Sequence, residues 1–149
     1  MALRRYDRIL VALDLSEAAE HVARTARGLV ERYQGRLTLI HVVETAPPVD
    51  LAYDPVLTPD WGIDEEAMIS QAGQRLAALA RRADIQDAEQ WVLAGSTKHE
   101  IERVAREQAF DLIVLGSHGR QGIARLLGST ANAVVHVAPC DVLAVRIQG

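Results

Sequence analysis

Five apolar runs rich in β-branched residues recur along this chain, and most are nearly continuous, with no polar residue at alternate positions. They occupy residues 8–13, 37–43, 89–93, 111–115 and 142–145; only the third, Glu89-Gln90-Trp91-Val92-Leu93, is diluted by polar side chains. A strand solvated on one face reads as an alternation, whereas a strand buried on both faces reads as a run. The other four runs therefore predict parallel strands covered by helices on both sides. Nothing else in the sequence restricts the fold as tightly.

Segments with helical spacing separate the runs. Ala19, Val22, Ala23, Ala26, Leu29 and Val30 share one stripe, with Ser16 placed as N-cap and Gly35 just past the end. Met68, Ala72, Leu76 and Leu79 form a second stripe. Thr97-Lys98-His99-Glu100 has the spacing of a capping box and leads into Ile101, Val104 and Ala105. A fourth stripe, Ala131, Val134, Val135 and Ala138, is stopped by Pro139. Five strands alternating with four helices predict an α/β fold: an open five-stranded parallel sheet with helices on both faces. Right-handed crossovers favour the doubly wound order 3-2-1-4-5.

The length, 149 residues, suits one domain spanning 1–149, and no internal repeat is visible. With two Trp, three Tyr and one Phe, the core must be aliphatic. No apolar run approaches the ~18–20 residues that cross a bilayer, so no membrane insertion is expected. The opening residues are too short in apolar character for a signal peptide. The one cysteine, Cys140, cannot form an internal disulfide, which fits a reducing cytoplasm. A net charge of −4 offers no field for nucleic acid.

In open α/β sheets the ligand crevice lies beyond the carboxyl ends of the strands, where the strand order reverses. For this order that point falls between the first and fourth strands. Asp14 follows the first, and Gly116-Ser117-His118-Gly119-Arg120 follows the fourth. Gly128-Ser129-Thr130 then opens the last helix, where free N–H groups and the helix dipole favour an anion such as phosphate. Arg120 and Arg125 flank the glycine loop and could attract phosphates. Two common phosphate motifs are absent: there is no G-x-x-x-x-G-K-[S/T], and no G-x-G-x-x-G follows the first strand. Residues 44–62, with Pro47, Pro48, Pro55 and Pro59, break the rhythm at the same sheet edge. They read equally as a functional lid or as a crossover without a ligand role.

At these residues the chain resembles the universal stress protein A family. The likeness spans essentially the whole chain and rests on residues 9–16, 39–42, 111–120, 128–130 and 139–143. It implies an adenine nucleotide hydrolase-like five-stranded fold and a cytoplasmic homodimer paired through the last strand, Val142, Leu143, Ala144 and Val145. The family divides into ATP binders, marked by G-x2-G-x9-G-[S/T], and relatives that do not bind nucleotide. Here Gly116-x2-Gly119 and Gly128-Ser129 fit, but only eight residues separate Gly119 from Gly128. The resemblance carries Gly116, Gly119, Gly128, Ser129 and Thr130 over as phosphate and ribose contacts, and Ala12, Asp14 and Val42 as the adenine and ribose end. ATP would bring any Mg²⁺ with its phosphates.

Two readings stand open: an ATP-binding regulatory module that is not an enzyme, and a homodimer that works through protein contacts without nucleotide. An enzymatic reading needs a general base near the phosphates, for which only Asp14 and His118 are available. Plainer roles compete residue by residue. Asp14, or Ser129 with Thr130, could simply cap helices; His41 in an apolar strand reads as a satisfied core histidine; His136 reads as surface; and Cys140 reads as a small packed residue. No His, Cys or carboxylate residues show metal-ligand spacing.

Overall fold

A computed structural model describes residues 5–45, 64–117 and 128–147. The described residues alternate strand and helix: β1 (Arg8–Ala12), α1 (Ala19–Tyr33), β2 (Arg36–Glu44), α2 (Glu65–Arg82), β3 (Glu89–Gly95), α3 (Thr97–Glu107), β4 (Leu112–Gly116), α4 (Ser129–Val137) and β5 (Asp141–Val145). The sheet is parallel throughout with order β3-β2-β1-β4-β5, as the run pattern predicts. Leu10 of the central strand pairs with Thr38 on one side and Ile113 on the other.

Three of the four continuous runs have the expected cause; the fourth, β5, is an edge strand whose residues are mostly half-buried or exposed. Ile9, Val11, Leu39, Leu112 and Val114 point into one core with Val22, Ala23 and Ala26 of α1 and Leu76 of α2. Leu10, Ile40, Ile113 and Leu115 point into the other with Ile101 and Val104 of α3 and Ala131 and Val134 of α4. Both parities of each central strand are thus buried, and each fully buried Leu or Ile contributes about 1.5–3 kcal/mol relative to exposure. On α1 the stripe alanines Ala19, Ala23 and Ala26 are buried in the core with β1 and β4. β3 lies at an edge, its residues exposed or half-buried, which accounts for its polar dilution. No helix of the described residues is long and apolar enough to cross a membrane.

The helix ends depart from expectation. α1 starts at Ala19 with Ala18 as N-cap and no side-chain cap, so Ser16 does not cap it. Leu15 takes φ 61°, in the left-handed region, and this delays helical geometry by several residues. At the other end Gln34, not Gly35, holds the left-handed capping position (φ 54°). Gly35 serves a close approach: a Cβ there would lie 2.4 Å from the Tyr6 carbonyl oxygen. The capping box at α3 does not form. Ser96 is the N-cap without a side-chain bond, and the Thr97 hydroxyl donates to Glu44 Oε1 at 2.7 Å instead. Gly128 is the N-cap of α4, which puts Ser129 and Thr130 inside its first turn. Asp64 caps α2, accepting from the Glu66 and Ala67 N–H groups, a role its sequence position did not single out.

Candidate functional site

The reversal of strand order places the ends of β1 and β4 side by side, with Ala12 in register with Leu115. Asp14 therefore projects from the same edge as Gly116 and Ser117. Two backbone bonds bring the start of α4 to that edge. Ser117 N–H donates to the Val145 carbonyl at 2.8 Å, and Gly128 N–H donates to the Ser117 carbonyl at 2.8 Å. The switch point, the end of β5 and the α4 N-terminus thus converge there.

The first intrahelical bond of α4 runs from Asn132 N–H to the Gly128 carbonyl at 2.9 Å. The N–H groups of Ser129, Thr130 and Ala131 accordingly have no helical acceptor. Their positive end of the helix dipole opens toward the carboxyl edge, with the Ser129 and Thr130 side chains exposed beside it. Gly128 is buried, and its N–H is already committed to Ser117. Of the candidate phosphate residues, Gly128 therefore offers no N–H to a ligand.

Gly116 has a packing reason of its own. A Cβ there would meet Ile147 Cδ1 at 2.6 Å and Val22 Cγ2 at 3.3 Å, so its missing side chain makes room for the C-terminal segment. Val42 is buried, and Ala12 packs against the same α3–α4 core. These two and the start of α4 therefore share one face of the sheet. Asp14 is exposed, and its Oδ1 accepts from the Ser16 N–H at 3.0 Å. This bond closes the turn after β1; it is neither a helix cap nor a core contact.

Histidine 41 is satisfied as expected: its Nδ1 lies 2.7 Å from the Leu13 carbonyl oxygen. A carbonyl can only accept, so the ring proton resides on Nδ1. His136 is exposed and Cys140 packs partly buried against the α3–α4 core. Gly119 and Arg120, together with His118, Gly122, Arg125, Tyr53, Trp61 and most of the proline-containing segment, lie outside the described residues. Among the described residues no group of three or more His, Cys, Asp or Glu side chains could hold a metal ion. A cavity of about 470 Å³ opens at the opposite, amino edge of the sheet, lined by Arg8, Arg36, Asp87, Glu89 and Phe110 among others. It is remote from the open helix start and from Asp14, so shape alone does not mark the edge where the polar groups converge.

Comparison with known proteins agrees with this architecture. The universal stress protein family model matches residues 5–146. Universal stress protein A homolog 2 of Coxiella burnetii is 40% identical over 146 residues, covering 97% of this chain and 97% of that protein. The structure of universal stress protein UspA from Lactobacillus plantarum is similar with a TM-score of 0.72 at 33% identity, over 97% of this chain and 100% of that one. A universal stress protein solved in complex with cAMP shares the fold, with a TM-score of 0.63 and 24% identity over 95% of this chain and 98% of that one.

Proposed function

The chain belongs to the universal stress protein family, and on that premise we propose that it binds ATP at the carboxyl edge and acts as a regulatory module, not an enzyme. The observation that carries this reading is the pairing of Asp14 with the open start of α4 across the switch point. An adenine amino group can donate to the Asp14 carboxylate, and Ala12 and Val42 offer apolar surface to the ring. At the other end, the N–H groups of Ser129, Thr130 and Ala131 and the two hydroxyls can cradle phosphate. Gly119 and Arg120 complete that end in this reading, with Arg120 supplying positive charge and the nucleotide phosphates bringing Mg²⁺. The cAMP complex of a protein with the same fold supports adenine nucleotides as the ligand class.

In this account no residue is assigned a catalytic role. Nucleotide occupancy biases the long segment after β2 and the dimer, and so the choice of protein partner, without turnover. The protein works in the cytoplasm as a single-domain homodimer paired through β5. The test is Ser129→Asp. A carboxylate at the first helical position suits the helix dipole and should leave thermal stability unchanged or slightly raised. The same charge repels phosphate, and Mg-ATP affinity should fall more than about tenfold, equivalent to about 1.4 kcal/mol. Undiminished ATP binding in this variant would remove the phosphate cradle from the reading.

The eight residues between Gly119 and Gly128 favour a second reading, a homodimer that binds no nucleotide and acts through protein contacts. One residue inserted ahead of Gly128 separates the two. If ATP affinity arises only in the insertion variant, the second reading holds.

A further inference from the structure

The turn that carries Asp14 is held from two other elements. On one side the Leu13 carbonyl accepts from His41 of β2 at 2.7 Å. On the other the Leu15 carbonyl accepts from the Arg75 guanidinium of α2 at 3.1 Å, a contact between residues sixty positions apart. Between them Asp14 Oδ1 takes the Ser16 N–H. Leu15 itself sits at φ 61°. A left-handed backbone costs a branched residue about 1–2 kcal/mol, and such geometry persists only where surrounding contacts impose it.

Arg75 is suited to impose it. A cleft of about 150 Å³ separates the turn from α2, lined by Leu15, Ser16, Arg75, Ala78, Leu79 and Arg82, so the guanidinium is the group that reaches across. Nearby Arg24 spends its own guanidinium on Glu20 and on the Arg82 carbonyl. Arg75, among the described residues, bonds only the Leu15 carbonyl. The contact is solvent-exposed, so it ranks with an ordinary net hydrogen bond.

We infer that Arg75 is a positioning residue for nucleotide recognition. By holding the Leu15 carbonyl it keeps the turn closed, with one Asp14 oxygen on Ser16, leaving the other to accept from the base. This rests on the reading that Asp14 accepts from the adenine amino group. Arg75 would then govern which base is chosen more than how tightly phosphates are held.

The experiment compares calorimetric affinities for Mg-ATP and Mg-ITP, which carry the same triphosphate but differ in the amino group, in wild type, Arg75→Met and Arg75→Lys. The wild type should prefer ATP. Arg75→Met should lose about three- to tenfold in ATP affinity, the range of one net hydrogen bond, with little change for ITP. Arg75→Lys should recover part of the preference, and the melting temperature of Arg75→Met should fall by no more than the few degrees that one hydrogen bond accounts for. An unchanged ATP-to-ITP ratio in Arg75→Met, or an equal loss for both ligands, overturns the inference. Failure of the nucleotide reading looks different: the wild type then binds neither ligand. In that case amide exchange at Ser16 judges the latch alone. At least threefold faster exchange in Arg75→Met supports it, and unchanged exchange overturns it.

Discussion

Gln34 and Gly35 are adjacent, and their conformations invert the usual assignment of glycine to the left-handed position. Gln34 occupies φ 54°, where an L residue costs about 1–2 kcal/mol and glycine costs little beyond its extra chain entropy, about 0.5–1 kcal/mol. Gln34→Gly should therefore stabilise the fold by about 0.5–1 kcal/mol, a rise of about 2 °C in a protein of this size. Gly35→Ala should do the opposite. Its Cβ would sit 2.4 Å from a backbone oxygen of Tyr6 and 3.0 Å from that of Asp7. Neither can move without disturbing the approach to β1, so a loss of about 2–3 kcal/mol is expected. Thermal melts of the two variants check both signs at once. The sequence marks a helix end at this pair, but the choice between the two residues depends on Tyr6, which is distant in the chain. The same holds for Gly116, where a Cβ would meet Ile147 and Val22, both distant in the chain.

The interior of each element was legible in the sequence, and the termini were not. Interiors obey local periodicity, because every central strand buries both faces and every helix one stripe, with Val135 of the expected α4 stripe an exception at 45% exposed. Termini answer to tertiary partners. Thr97 has the spacing of a capping residue, yet its hydroxyl finds Glu44 at the end of β2. Asp111 reads as the first residue of a strand, yet β4 begins at Leu112 and the Asp111 carboxylate accepts from the Asp7 and Arg8 N–H groups at the head of β1. One side chain thus ties the starts of two neighbouring strands. Asp111→Ala should leave those N–H groups without their acceptor and cost about 1–3 kcal/mol. Because the loss falls at the amino edge, nucleotide affinity should be unaffected. Urea unfolding read beside calorimetry tests both halves of this expectation.

For the molecule as a whole, the doubly wound order was legible because connection handedness leaves few alternatives once five runs are recognised. The candidate site was legible only in part. Asp14 and the α4 start were visible as polar residues after buried runs, whereas Arg75 carries no sequence signal for its bond to Leu15 across sixty positions. At the β5 end of the sheet Leu143 is 37% exposed on the edge strand and Val135 is 45% exposed on α4. An apolar edge strand left unpaired invites aggregation, and pairing with a second copy removes that liability. Leu143→Arg should therefore shift the light-scattering mass from dimer to monomer at micromolar concentration; a wild type already monomeric there contradicts the β5 interface. The central claim is nucleotide binding at the carboxyl edge. It is met most directly by titrating Mg-ATP into nucleotide-free wild-type protein in a calorimeter. The account predicts saturable heat at one site per chain, and the absence of heat at millimolar ATP would contradict it.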